Sequence, residues 1–395
     1  MATGVTTQAG ETAGGYRLSD EQELLRDTVG RLADDRIAPR AAEIDEKAEF
    51  PWDIKELLAQ HEILALPFPP EYGGVSGELL SLCLAIEQIA RVCVTSSLIL
   101  AVQALAARPI IAAGTEEQKQ RWIPDLAAGK RLAAFALTEP AAGSDAASVR
   151  TTARRDGNEY VLSGSKRFIT NGGVAEVYSV FALTDPDAPK GKGISCFVVE
   201  GSSRGFSVPR LEHKMGIRGS PTAELLFDDV RVPADNLVGA EGQGYSLALD
   251  TLEHSRPGIA AQAVGIAQGA TDVALDYART RVQFGKPIGE FQMVQAMLSD
   301  MATRTEAARH LLYHACTEIQ GGSPHAMRWA AMAKLFAGDT AMAVTTDAVQ
   351  VLGGYGYTAD YPVERMMRDA KITQLYEGTQ QIQRLVIARD LLGER

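Results

Sequence analysis

The chain has 395 residues, more than one ordinary hydrophobic core requires, so two or three domains are expected. Hydrophobic residues make up 46% of the sequence, enough for large buried cores, which excludes a disordered or fibrous protein. The net charge of −11 at pH 7 excludes a protein that holds nucleic acid by neutralising its phosphates.

The N-terminus, the apolar stretches and the cysteines predict a cytoplasmic protein without a membrane span. Residues 1–15 are small and polar and lack the features of a signal peptide, so a loose tail is expected. The longest apolar stretch, 92–107, contains hydroxyl groups and Gln103 and falls short of the roughly 18 apolar residues that span a bilayer, which predicts a buried core helix. The four cysteines form no C-x-x-C pair, which fits a reducing compartment.

Residues 16–130 have the pattern of a helical domain. Ser19 and Gln22 form a capping-box pattern at the start of an amphipathic helix, and Thr115 and Gln118 form a second one. Between them, the stretch 77–107 is apolar nearly all round, which predicts one central helix of a bundle.

Residues 131–243 have the pattern of a small antiparallel β-domain. Alternating residues at 150–155 and 160–163 flank the turn signal Asp156-Gly157, which predicts a hairpin. Further short strands are predicted at 178–183, 194–199 and 224–227, separated by turn residues.

Residues 244–395 return to helical periodicity. Four helices are predicted, at about 247–280, 291–320, 325–352 and 379–392, and turns marked by Gly and Pro join them into an antiparallel four-helix bundle. The expected fold class is therefore α+β, with an N-terminal all-α domain, a middle antiparallel β-domain and a C-terminal bundle.

Several common active-site motifs are absent from the sequence. It has no G-x-G-x-x-G, no P-loop, no H-E-x-x-H and no G-x-S-x-G motif, which disfavours the usual nicotinamide, nucleotide, zinc and hydrolase sites. His310 and His314 are spaced for one helix face, but no third ligand is evident, so no metal site is predicted.

Four other segments have an unusual composition, although each alone has an ordinary structural explanation. At 135–145 a strand runs into a Pro/Gly loop with Thr138 and Ser144, which suits either a planar ligand or a capped turn. At 164–173 Phe168 and Thr170 are expected on one strand face. Arg281 could meet a phosphate or cap a helix end. Glu377 stands before Gly378 at a helix start, where a surface turn is the ordinary reading.

Together these segments resemble the acyl-CoA dehydrogenase family. The resemblance runs in order, with family-like spacing, from about Leu18 to the C-terminus, and is closest to the short-chain and short branched-chain members. The motifs that carry it are PEYGG at 70–74, TEPAAGSD at 138–145, KMGIRGS at 214–220, QVLGGYG at 350–356 and YEGT at 376–379.

The resemblance implies an FAD site between the β-domain and the C-terminal bundle, completed by a neighbouring subunit of a homotetramer. Family members often have Trp where this chain has Phe168, which keeps the ring but loses a donor. The residues implied to line the flavin are Phe135, Leu137, Thr138, Gly143, Ser144, Phe168, Ile169 and Thr170; those at the adenosine part are Thr379 and Gln381; those that reach the partner's FAD are Arg281, Phe284, Gln292, Gln350, Gly353 and Gly354.

The resemblance also implies that Glu377 is the base that removes the α-proton of an acyl thioester, while hydride leaves the β-carbon for flavin N5. The backbone N–H of the base would polarise the thioester carbonyl, and a dry pocket would raise the carboxyl pKa. The residues implied to contact the substrate are Ser144, Glu253, Ser255, Arg256 and Gly378.

The expected reaction is α,β-dehydrogenation of a short-chain or short branched acyl-CoA, with an electron-transfer flavoprotein as acceptor. Ser255 occupies the position where one branch of the family carries its base, which disfavours an isovaleryl-type enzyme, and the lack of arginine at 92–100 disfavours a glutaryl-type one. Three alternatives remain: an acyl-carrier-protein thioester as substrate, an oxidase that uses O₂, and a non-catalytic scaffold of the same fold.

Overall fold

The computed structural model describes residues 17–75 and 77–393, so the predicted tail at 1–15 lies outside the described residues. The predicted α+β architecture is confirmed, with helices first, a sheet in the middle and helices at the end. The N-terminal helices are α1 (Asp20–Leu32), α2 (Ala41–Lys47), α3 (Trp52–Gln60), α4 (Leu79–Ala90), α5 (Val94–Ala113) and α6 (Glu116–Ala127).

Both predicted capping boxes are confirmed. The hydroxyl of Ser19 accepts a hydrogen bond from the backbone N–H of Gln22 at 3.2 Å, and the Gln22 side chain accepts from the N–H of Ser19. Thr115 and Gln118 make the same reciprocal pair at the start of α6. These bonds satisfy N–H groups that a helix start leaves without a partner.

The prediction of one central helix across 77–107 is wrong. Two helices, α4 and α5, meet at a break over residues 91–93, where Cys93 has an extended backbone with φ −154°. The flanks of the break are apolar and buried on both sides. Apolar composition therefore contains no signal for the point where one buried helix ends and the next begins.

Helix α5 is longer than the predicted apolar stretch at 92–107. The expectation that this segment is too short to span a bilayer therefore needs correction. By length and composition it could cross a membrane, but most of it is buried inside the protein. Its contacts are those of a core helix, because it packs against the first helix of the C-terminal part and the first strand of the sheet. Gln103, inside it, donates to the carbonyls of Leu126 and Arg131, both at 2.8 Å.

The middle domain is a sheet in the order β6-β7-β3-β2-β4-β5-β8, with β1 beside β4. The predicted hairpin is confirmed, since β2 and β3 pair antiparallel with Asp156 opposite Glu159. The sheet is not purely antiparallel as predicted, because β1 and β2 run parallel to β4. The strands are β1 (Ala133–Ala136), β2 (Thr152–Asp156), β3 (Glu159–Thr170), β4 (Val177–Leu183), β5 (Ile194–Glu200), β6 (Phe206–Leu211), β7 (Thr222–Pro233) and β8 (Leu237–Val238).

The C-terminal part contains the four predicted helices, and α7 packs against both α8 and α9. A small hairpin and a short helix, α10, were not predicted. Alanines line the buried faces of α7 and α9, which lets the two helices approach closely. The elements are α7 (Gly244–Thr280), β9 (Val282–Gln283), β10 (Lys286–Pro287), α8 (Gln292–Gln320), α9 (Ala326–Leu352), α10 (Val363–Ala370) and α11 (Gln380–Leu391).

Tight packing of the bundle gives a first prediction. Ala308 on α8 is fully buried, whereas its neighbour Ala307 is exposed. Ala308→Leu should lower the free energy of unfolding by about 1–3 kcal/mol because the core has no space for the larger side chain. Ala307→Leu should change it by less than about 0.5 kcal/mol. Urea unfolding of both variants checks this, and equal stability of the two would contradict the packing described.

Candidate active site

The turn that precedes α11 has an unusual backbone. Glu377 has φ +53° and Gly378 has φ +93°, so two consecutive residues lie in the left-handed region. A residue with a side chain costs roughly 1–2 kcal/mol in that conformation, and such strain persists only where the surroundings hold it. Thr379 then caps α11, its side chain accepting from the N–H of Ile382 at 3.4 Å.

Three buried side chains hold this turn through its carbonyl oxygens. Gln383 Nε2 donates to the carbonyl of Glu377 at 3.0 Å and to that of Gly378 at 2.9 Å. Lys334 Nζ donates to the Gly378 carbonyl at 2.7 Å. Arg256 Nε lies 3.5 Å from the Glu377 carbonyl. Each of the three side chains belongs to a residue that is no more than 3% exposed, so the turn is fixed from inside the protein.

The carboxylate of Glu377 is desolvated but remains hydrogen-bonded. Burial raises the pKa of Glu377, and a hydrogen bond from Ser255 together with the charges of Arg256 and Lys334 partly opposes that rise. Ser255 Oγ donates to Glu377 Oε2 at 2.7 Å. Because burial raises its pKa, this carboxyl group is a stronger base than an exposed one.

The predicted substrate residues are only partly brought together. Ser255, Arg256 and Gly378 meet at Glu377. Arg256 is 3% exposed, and its Nη1 has no hydrogen-bond partner among the residues that the structure describes. Glu253 lies on the same helix without a contact to the Glu377 carboxylate, and burial raises the pKa of Glu253. Ser144 lies exposed in a loop of the β-domain, and no hydrogen bond joins it to these groups.

Two segments predicted to line a flavin form one continuous surface. The N–H of Arg167 donates to the carbonyl of Thr138 at 2.8 Å, which joins the loop after β1 to strand β3. Behind them, the fully buried Lys166 donates to the Leu137 carbonyl at 3.1 Å and to Glu139 at 2.9 Å. This buried ion pair fixes the loop from the core side, as the Glu377 turn is fixed.

The surface made by these segments is partly open at Phe168 and Gly143. Phe168 has φ +58° and is 60% exposed, although a ring of that size is usually buried. A Cβ added at Gly143 would meet nothing within 4 Å. Ile169 and Leu137 are buried in the core, so they offer the surface mainly their backbone.

The expectation that Phe168 and Thr170 lie two residues apart on one face of a regular strand needs correction. The pairing of β3 with β7 shifts register between Lys166 and Ile169, and Phe168 lies inside that irregularity. A bulge of this kind turns a side chain away from its regular direction and is common beside binding sites.

A cleft of about 520 Å³ lies at the end of α9 and α7, and it contains three of the residues predicted to reach a partner's cofactor. The guanidinium of Arg281 lies 5.2 Å from the centre of the Tyr355 ring, and no carboxylate of the described residues lies within ion-pair distance of it. Such a cation is available to a phosphate. Arg281, Gly353 and Gly354 line the cleft, while Phe284 (93% exposed), Gln292, Gln350 and, on α11, Gln381 are exposed outside it.

The residues that support the site were missed by sequence reasoning. Lys334 had one available signal, because it is the only charged residue in the apolar run 330–338. No such signal was available for Gln383, Lys166 and Glu139. Polar residues are common in a helix, a strand and a loop, which are the elements that contain these three residues. Their importance depends on burial, which only the folded structure reveals.

Comparison with known proteins gives a consistent result. The sequence matches the family models "Acyl-CoA dehydrogenase, N-terminal domain" over 19–130, "middle domain" over 134–230 and "C-terminal domain" over 242–392. It is 50% identical to an acyl-CoA dehydrogenase of Bacillus subtilis, covering 95% of this chain and 99% of that protein. It is 48% identical to the short-chain-specific acyl-CoA dehydrogenase of Clostridium acetobutylicum, covering 94% and 98%. The butyryl-CoA dehydrogenase structure from Megasphaera elsdenii has a TM-score of 0.92 at 44% identity, covering 95% and 99%.

The geometry of the turn gives a second prediction. A Cβ added at Gly378 would lie 2.7 Å from Gln383 Nε2 on a left-handed backbone. Gly378→Ala should therefore lower the free energy of unfolding by about 1–3 kcal/mol. A Cβ added at Gly258, inside α7, would lie 3.4 Å from its nearest contact, the Ile86 side chain. Gly258→Ala should be within about 1 kcal/mol of wild type, since helices favour Ala. Urea unfolding distinguishes the two, and a fully stable Gly378→Ala would refute the strained turn.

Proposed function

The chain belongs to the acyl-CoA dehydrogenase family, whose members are FAD-dependent oxidoreductases that act on CH–CH groups, and on that premise we propose that it converts a short-chain or short branched acyl-CoA to the 2-enoyl-CoA. The observation that carries the proposal is the desolvated carboxylate of Glu377, which holds one neutral hydrogen bond from Ser255 at 2.7 Å. The relatives named for short-chain and butyryl substrates support the proposed chain length.

Glu377 acts as the general base in this reaction. Its ionised carboxylate takes a proton from the substrate's α-carbon, and the electron pair of that C–H bond forms the new double bond. When bound, FAD would accept the hydride that leaves the β-carbon. Glu377 ends the step as a neutral carboxylic acid, so its proton must leave before the next turnover. The raised pKa of Glu377 suits the proton-accepting step, because it makes the ionised carboxylate a stronger base.

The thioester carbonyl needs a hydrogen-bond donor, because an α-proton becomes acidic only when the negative charge on that oxygen is stabilised. The backbone N–H of Glu377 has no acceptor among the described residues and is free to serve. The left-handed turn allows one residue to supply both the base and this donor. We therefore assign both roles to Glu377.

The residues that would hold FAD come from two surfaces. Thr138, Phe168 and Thr170 would face the flavin ring on the β-domain. Arg281, with no carboxylate partner, would meet a phosphate in the cleft, and we propose that the FAD it meets is bound mainly by a second subunit. Val282, Phe284 and Met293 are large, apolar and more than half exposed, which supports a homo-oligomer, and we propose a tetramer. We propose an electron-transfer flavoprotein as the acceptor.

Removal of the base gives a third prediction. Glu377→Gln keeps the backbone N–H and the shape, so FAD content and thioester binding should remain. Flavin reduction by butyryl-CoA should slow by about 10²- to 10⁴-fold because no base remains at the α-carbon. Anaerobic stopped-flow absorbance measures that step without the electron acceptor.

Glu253→Gln is the matched control and should reduce its flavin within about tenfold of the wild-type rate. Reduction by Glu377→Gln at the wild-type rate would show that the base lies elsewhere. Repeating the wild-type assay with C4 to C16 and branched acyl-CoAs, one carrier-protein thioester and O₂ as acceptor tests the substrate and acceptor alternatives.

The hydrogen bond from Ser255 gives a fourth prediction, on pH dependence. Because the base must be ionised, flavin reduction should rise with pH through the raised pKa of Glu377. The bond from Ser255 favours the ionised form and lowers that pKa, so Ser255→Ala should move the acid limb of the profile to higher pH by about one unit. Ser255→Thr retains a hydroxyl and should keep the wild-type limb. Identical acid limbs in the pH profiles of Ser255→Ala and the wild-type enzyme would contradict the role assigned to this hydrogen bond.

A further inference from the structure

Lys334 is a charged side chain that the proposed mechanism leaves without a role. It lies on α9, is 0% exposed and stands in a stretch of otherwise uncharged residues. An ammonium group buried in this way costs several kcal/mol unless nearby groups compensate it. Among the residues that the structure describes, no carboxylate lies within 4 Å of its nitrogen. Groups other than carboxylates must therefore compensate the buried ammonium charge.

The two acceptors of the Lys334 ammonium both follow the proposed base in the chain. Nζ donates to the carbonyl of Gly378 at 2.7 Å and to Gln380 Oε1 at 3.2 Å. The Gln380 amide is oriented for this contact, because its Nε2 donates to the Leu335 carbonyl at 2.7 Å and to Asp339 at 3.0 Å. The amide oxygen of Gln380 is therefore left for the lysine. The ammonium therefore contacts the turn from within the protein interior.

We propose that Lys334 is a positioning residue for the base: it holds the Glu377–Gly378 turn in its left-handed conformation, and its positive charge favours the ionised form of the Glu377 carboxylate. The inference rests on the proposed function, since it assumes that Glu377 is the base. Gln383 and Arg256 also hold the turn, but Gln383 is neutral and arginine stays charged at all relevant pH values. Lys334 combines a direct bond to the turn with a charge that can titrate.

The electrostatics of the neighbouring groups agree with this geometry. Burial lowers the pKa of Lys334 to about 7, while the negative charge of Glu377 opposes that fall. In return, the charge of Lys334 lowers the pKa of Glu377. The other groups that face this pair are Arg256 and Ser255 from α7 and Asp339 from α9. Loss of the lysine charge should therefore leave more of the carboxyl protonated at a given pH.

The fifth prediction compares three variants by anaerobic flavin reduction across a range of pH. Lys334→Met removes both the hydrogen bonds and the charge, so its limiting rate should fall about 10- to 100-fold through misplacement of the base. Its acid limb should also move to higher pH by about one unit. Lys334→Gln keeps a donor but no charge, and should recover part of the limiting rate while it keeps the shifted limb. FAD content and melting temperature are measured on each variant.

Lys55→Met is the matched control, because Lys55 is also a buried lysine, 6% exposed, but lies on α3. It should keep the wild-type rate and limb even if its melting temperature falls. Loss of stability in the Lys334 variants without a change of limb would overturn the inference and leave Lys334 structural. If Lys334→Met does not retain FAD, the acid limb of flavin reduction is measured on Lys334→Gln instead, which tests the same point. A failure of this inference is distinguishable from a failure of the proposed function. In the first case Glu377→Gln would still slow flavin reduction by about 10²- to 10⁴-fold, and in the second case it would not.

Discussion

The proposed active site depends on one constraint: a carboxylate must be removed from water and still be ionised. The chain meets this requirement at a two-residue left-handed turn, Glu377–Gly378, which faces a buried arginine and a buried lysine. The strain of the turn is held from three helices, since Arg256 and Ser255 come from α7, Lys334 from α9 and Gln383 from α11. The position of the proposed base is therefore set by helix packing, although Glu377 itself lies in a loop.

The same constraint explains the composition of the bundle. Small buried residues on α7 and α9 let the two helices approach closely enough for Arg256 and Lys334 to reach one turn. The β-domain uses a similar arrangement, in which the buried Lys166–Glu139 pair fixes the loop at Leu137 from the core side. In both places a buried charged side chain fixes a backbone segment from the core side. Breaking either arrangement would leave an uncompensated buried charge.

The sequence predicted those features that depend on local chemistry. Short-range hydrogen bonding predicts the capping boxes at Ser19 and Thr115, and turn geometry predicts the hairpin at Asp156-Gly157. All three predictions were correct. The break at 91–93 was missed because both flanking helices are apolar, and the parallel pairing of β1 with β4 was missed because it joins segments some 40 residues apart. Glu377 was found through its motif. Lys334 and Gln383 were missed because their contacts form only when α9 and α11 pack together.

The central claim is that Glu377 removes the α-proton, and exchange of that proton tests it without any redox step. 3,3-Dimethylbutyryl-CoA has α-hydrogens but no β-hydrogen, so it cannot be dehydrogenated. In D₂O, NMR should show that the FAD-loaded wild-type enzyme exchanges its α-hydrogens faster than free solution does, whereas Glu377→Gln, at equal thioester occupancy, should not accelerate the exchange. Equal exchange rates in the two proteins would contradict the account and place the base elsewhere.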